Sequence, residues 1–130
     1  MFRIQKGERW LFPLIYVLWL FSITGVVMGS LKPGVELPVG FWNADKLVHL
    51  FAYLWLALLP ALIVKSKNRL LLLSFCLILL GCILEFGQMY VPGRMFSLVD
   101  MGANAAGVFL GFPLGRRYRF RLGRALSIKV

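Results

Sequence analysis

Residues 70–90 read LLLLSFCLILLGCILEFGQMY, an apolar run whose single charge is Glu85. At about 1.5 Å of rise per residue such a run makes a helix of about 30 Å, the thickness of a bilayer's hydrocarbon core. Lipid offers the backbone no hydrogen-bond partners, so a spanning segment of this length satisfies its own N–H and C=O groups as a helix. The stretch therefore predicts a transmembrane helix over 70–90 that carries one acid within its span.

The pattern repeats on both sides. Upstream, Lys65-Ser66-Lys67-Asn68-Arg69 reads as a short basic turn, and before it a second helix is expected over 44–64 with Asn43 as its N-cap. A loop from Ser30 to Asn43 is punctuated by Pro33, Gly34, Pro38 and Gly40, with Phe41 and Trp42 as interfacial aromatics. Before it lies an uncharged run over 10–29. Pro13 sits in its first turn, where proline is tolerated, and Gly25 and Gly29 form a G-x-x-x-G pair that could pack against a neighbour. Downstream, Val91-Pro92-Gly93-Arg94 reads as a turn. A fourth helix follows over 97–115 with Ser97 as N-cap, then a basic tail over 116–130. The chain reads as one domain, 1–130: an all-α polytopic membrane protein with four transmembrane helices in an antiparallel bundle.

Composition agrees. Of the 130 residues, 60% are hydrophobic and 15% charged, more apolar than the roughly 45–50% of soluble domains. A net charge of +10 in a soluble protein would point to nucleic acid. Here the basic residues flank apolar runs, so the phosphates they meet belong to membrane lipids, and no nucleic-acid partner is expected. Cys76 and Cys82 lie on one helix about 9 Å apart in rise, too far for a disulfide, and read as small buried hydrophobes. The first run is too long for the core of a cleaved leader, and no A-x-A site follows it.

Lysine and arginine placement gives an orientation. Arg3, Lys6, Arg9, Lys65, Lys67, Arg69, Arg116, Arg117, Arg119, Arg121, Arg124 and Lys129 fall on one side of the four spans; Lys32, Lys46 and Arg94 fall on the other. The positive-inside rule puts both termini in the cytoplasm.

The few polar residues within the spans are aligned. Asp45, His49 and Tyr53 share a face of the second helix, Glu85 and Gln88 a face of the third, and Ser97, Asp100, Asn104, Gly107 and Gly111 a face of the fourth. From the outer helix ends, His49 lies roughly 7 Å deep, Glu85 roughly 8 Å, Asp100 roughly 5 Å and Asn104 roughly 10 Å. Three helices thus bring polar groups to one outer layer. A charge in a span costs about 2.5–3.5 kcal/mol on insertion scales, so Glu85 is expected to be paired, protonated or in a wet cavity. Ala103, Gly107, Gly111 and Gly115 repeat every fourth residue and predict close helix approach on that same face.

Asp45-Lys46-x-x-His49-x-x-x-Tyr53, then Glu85-x-x-Gln88, then Arg94-x-x-Ser97-x-x-Asp100-x-x-x-Asn104-x-x-Gly107, resembles the VanZ-like family of bacterial membrane proteins, over about 45–111. The resemblance implies a multi-pass protein of the bacterial cytoplasmic membrane and the cell envelope. It also implies a link to glycopeptide antibiotic resistance, since the family's named member is associated with low-level teicoplanin resistance. It carries no biochemical mechanism with it.

Three functions are compatible with these residues. In the first, the outer site binds or handles an amphipathic envelope molecule: a lipid headgroup, a lipid-linked glycan or a lipoglycopeptide. Lys46 and Arg94 would hold phosphate or carboxylate, and Tyr53, Gln88, Ser97 and Asn104 would complete the ligand contacts. In the second, a membrane-embedded hydrolase or transferase uses His49, with Asp45 or Asp100 orienting it and Glu85 as acid. No G-x-S-x-G motif is present, and an N-cap role at Ser97 competes with a nucleophilic one. In the third, a proton-coupled transporter would need a homo-oligomer, four helices being few for one protomer. No cofactor is expected, and no metal, since there is no H-E-x-x-H and no second histidine. The bland alternatives are a snorkelling Lys46, a dipole-complementing Asp45, a core His49, an ordinary membrane Tyr53 and a closed ion-pair network that only fixes helix packing.

Overall fold

The computed structural model describes residues 10–33 and 42–125. They form four helices and no strands: α1 (Leu11–Ser30), α2 (Trp42–Ile63), α3 (Lys67–Gln88) and α4 (Leu98–Ala125). All four are long and apolar enough to cross a membrane. The expected loop residues 34–41, the amino-terminal Arg3, Lys6 and Arg9, and the tail residues 126–130 lie outside the described residues.

The boundaries differ from the sequence expectation in three places, each with a local cause. α2 begins at Trp42, so Asn43 lies within its first turn rather than capping it. Ser66 takes the N-cap of α3, its hydroxyl accepting from Arg69 N–H at 3.4 Å, so most of the expected basic turn is the first turn of α3. α4 continues ten residues past 115, because arginine and leucine there are strong helix formers. That extension is also anchored: Arg119 Nη1 donates to the carbonyl of Val64, just past the end of α2.

The tightest pair is α2 with α4, which are not sequence neighbours. A Cβ on Gly107 would collide with the carbonyl of Leu50 and come within 2.8 Å of Leu54 N. One on Gly111 would collide with the carbonyl of Leu54, and one on Gly115 would lie 2.5 Å from that of Leu58. Three glycines spaced by four therefore seat against three leucines spaced by four. The shared ascending order means the two helices run parallel, as alternate helices of an up-down bundle must. Leu56, Ala57 and Ala61 of α2, Leu77 of α3 and Val108 and Phe112 of α4 fill the core beneath.

α1 is peripheral, with no buried residue. What ties it on follows from a proline. Pro60 has no N–H, so the carbonyl of Leu56 four residues earlier lacks its helical donor. The indole N–H of Trp19 donates to that carbonyl at 2.8 Å. Trp55 Nε1 adds a bond to Ser22 Oγ at 3.1 Å. The G-x-x-x-G pair packs against none of the described residues, since a Cβ on Gly25 or Gly29 would meet nothing there within 4 Å. Cys76 and Cys82 are both free, Cys76 being exposed and Cys82 half-buried rather than fully buried.

Candidate functional site

The start of α2, the end of α3 and the start of α4 meet at one end of the bundle, called here the polar end. The turn that joins α3 to α4 sets the geometry. Arg94 N–H closes on Val91 C=O at 3.1 Å, with Pro92 and Gly93 as the two central residues. Gly93 takes φ 73°, which a type II turn requires at its third position and only glycine adopts freely. The turn returns Arg94 over the polar end, where its Nη1 lies 3.8 Å from Asp45 Oδ1 and its Nε donates to Lys32 C=O at 3.5 Å.

His49 is the hub. Its Nδ1 lies 3.1 Å from Asn104 Oδ1 of α4 and 3.7 Å from Glu85 Oε1 of α3. Its Nε2 lies 3.9 Å from Asp45 Oδ1, one turn earlier on α2. An amide oxygen only accepts, so the bond to Asn104 puts a ring proton on Nδ1, and the neutral ring in this tautomer carries its lone pair on Nε2. Glu85 is fixed from its other side, its Oε2 accepting from Ser97 N–H at 3.2 Å. Ser97 Oγ in turn accepts from Asp100 N–H at 3.2 Å, the N-cap expected of it. That capping role competes with a nucleophilic one at the hydroxyl the enzyme reading would use.

Side-chain exposure falls inward along this chain of contacts: 45% at Asp45, 27% at Arg94, 11% at His49 and 1% at Glu85. The acceptors at the base are under-used: among the described residues, Glu85 Oε1, Asp100 Oδ1 and the hydroxyl of Tyr53 are buried without a hydrogen-bond partner. Asp45, His49 and Asp100 each bring one potential ligand atom within 4.8 Å of the others.

The residues singled out in the sequence divide accordingly. Asp45, His49, Glu85, Arg94, Ser97, Asp100 and Asn104 meet at the polar end. Tyr53 lies one turn deeper, buried between Gly81 and Gly107. Gln88 is buried but committed elsewhere, its amide donating to Ser30 C=O of α1 at 3.2 Å, one of the last-turn carbonyls that a helix leaves unpaired. Lys46 is half-buried in the first turn of α2. One contributor was missed: Gly81 of α3, where a Cβ would lie 3.1 Å from Asn104 Nδ2 and 3.3 Å from Tyr53 Cε1. A glycine amid the leucine-rich middle of a helix was the available signal. An open cleft of about 490 Å³ lies at the opposite, basic end, between Lys67, Leu70, Phe112, Arg116 and Phe120, away from this chemistry.

Fold and site together define a polytopic helical membrane protein with a half-buried ionisable cluster at one end of its bundle. The family model described as VanZ/LLP1 matches residues 9–119, and the chain belongs to that family. No curated protein and no solved structure gives a significant match.

Proposed function

We propose that this VanZ-family protein binds or handles an amphipathic molecule of the cell envelope at the polar end, with the polar end facing outward and both termini in the cytoplasm. The ligand class is a lipid headgroup, a lipid-linked glycan or a lipoglycopeptide. One observation carries this reading: ionisable groups graded from a half-exposed mouth at Asp45 and Arg94 to a fully buried Glu85. A headgroup would enter at the mouth, with Arg94 as its charge partner and Asn104 and the buried acceptors deeper in. Its acyl chains would lie on the outward apolar surface beside the mouth, where Leu47, Val48, Phe51, Leu98 and Val99 are exposed. The buried layer below is apolar, built from Leu56, Ala57, Leu77 and Val108, and offers no ionisable relay toward the basic end, which counts against a proton-coupled transporter.

The test is Glu85→Gln beside His49→Gln. Gln is close in size to Glu and can still accept from Ser97 N–H, so both variants should insert and melt as the parent does, and lose whatever cellular phenotype a deletion reveals. A purely structural network predicts otherwise, since breaking a buried ion pair costs about 3–5 kcal/mol. Lost stability, or full function in both variants, would refute the site.

A further inference from the structure

Asp100 is 6% exposed and, among the described residues, its Oδ1 accepts no hydrogen bond. Buried acceptors in folded proteins almost always have a donor, an ordered water or an ion. Glu85 Oε1, 1% exposed and equally unbonded, lies on the neighbouring side of His49 at 3.7 Å from Nδ1. The Asp100 carboxylate, together with Asp45 and His49, forms a donor set that lacks its acid.

We propose that Asp45 and His49 of α2 and Asp100 of α4 bind a divalent metal cation of the zinc or manganese type. Three observations support it beyond the number of acids. The first is spacing. The three ligand atoms lie within 4.8 Å of one another. Ligands about 2.0–2.3 Å from one ion stand roughly 3.3–3.8 Å apart in tetrahedral geometry, so the set closes with side-chain shifts of up to about 1.5 Å. The second is the histidine's tautomer. With Nδ1–H given to Asn104 Oδ1, the free lone pair is on Nε2, the nitrogen that faces Asp45. The 3.9 Å from Nε2 to Asp45 Oδ1 is too long for a hydrogen bond and suits two ligands of a common ion. A metal-bound histidine that donates its other N–H to an oxygen is the usual arrangement, and it makes Asn104 a positioning residue. The third is that the buried Asp100 carboxylate, which supplies one of the three ligand atoms, has an oxygen with no hydrogen-bond partner among the described residues. Arg94 shares Asp45 Oδ1 only at 3.8 Å, a loose ion pair that a closer divalent cation displaces. An imidazole with two carboxylates suits zinc and manganese better than magnesium, which favours waters and oxygen ligands.

The site combines residues from helices far apart in sequence, which is why no ligand spacing motif announced it. It shares Asp45 and His49 with the headgroup reading but does not rest on it: the protein can bind a cation whether or not it holds a lipid.

The experiment uses the full chain in detergent, stripped with a chelator and desalted. Titration with zinc chloride or manganese chloride alone should give one ion per chain by elemental analysis. The melting temperature should rise by about 5–10 °C at a hundredfold excess over the dissociation constant. Asp100→Asn and Asp45→Asn should abolish both effects, and Asn104→Ala should weaken binding by about 10–100-fold. If Asp100→Asn fails to fold, the half-exposed Asp45→Asn still decides. A chain with Cys76→Ser and Cys82→Ser should bind as the parent does. Less than stoichiometric binding of both metals, binding retained in Asp45→Asn, or binding lost with the cysteines would overturn the proposal.

Discussion

Replacing Gly107 by alanine adds one carbon at the point where α4 presses on α2. That carbon would overlap the carbonyl of Leu50 and sit 2.8 Å from Leu54 N and 3.0 Å from Tyr53 Cβ. Carbon contacts are optimal at about 3.5–4.0 Å, so the helices must part by roughly 0.5–1 Å. The opposing atoms are mainly backbone and cannot rotate away. Overpacking of this kind costs about 1–3 kcal/mol, set against a gain of about 1 kcal/mol from alanine's helix propensity. A net loss of up to about 2 kcal/mol should lower the melting temperature in detergent by up to about 10 °C, and Gly107→Ala should melt below the control by the full overpacking cost. The same separation draws Asn104, one turn away, off His49. Gly102→Ala is the matched control: that position is exposed and a Cβ there meets nothing within 4 Å, so the propensity gain should stand alone. Circular dichroism melts of the two variants decide. Equal stability of Gly107→Ala and Gly102→Ala would refute the close approach of α2 and α4.

Trp19→Phe should cost about 1–3 kcal/mol by stranding the Leu56 carbonyl, and that cost should vanish in a Pro60→Ala background, where the alanine supplies the missing N–H; a double-mutant cycle on thermal melts reads the difference. Arg119→Met should cost about 1.5–3 kcal/mol through loss of the bond to Val64 C=O, and amide exchange should show faster opening of the end of α4. Reporter fusions after Lys67 and at the carboxyl end should read cytoplasmic, and fusions at Gly34 and Gly93 external; a cytoplasmic Gly93 would turn the polar end to the wrong leaflet. Gly111→Leu should prevent assembly of the bundle, seen as loss of a monodisperse peak on size exclusion, because a branched side chain cannot enter against the Leu54 carbonyl.

Much of this fold was legible because lipid removes alternatives. A run like 70–90 can only be a helix, and the i, i+4 spacing of Asp45 with His49 and of Asp100 with Asn104 fixes which side chains share a face. The glycine stripe showed that the polar face of α4 turns inward, but not that α2 would be its partner, because small residues fit any neighbour. The end of α4 was misjudged since arginine signals a membrane boundary and equally a good helix former, and only Arg119's reach to Val64 favours continuation. Gln88 looked like part of the site because it shares a face with Glu85. Its bond to Ser30 depends on where α1 ends, a tertiary fact with no local signal. Trp19 and Pro60 are each unremarkable in sequence, and their complementarity exists only once α1 lies on α2.

The most direct test of the polar end as a working site is a native mass spectrum of the gently purified protein beside its Glu85→Gln and Arg94→Gln variants. The parent should retain a lipid or lipid-linked glycan at about one per chain, and both variants should lose it while melting within a few degrees of the parent. Identical bound lipid in all three proteins, or none in the parent, would contradict a headgroup site at Asp45, His49, Glu85 and Arg94.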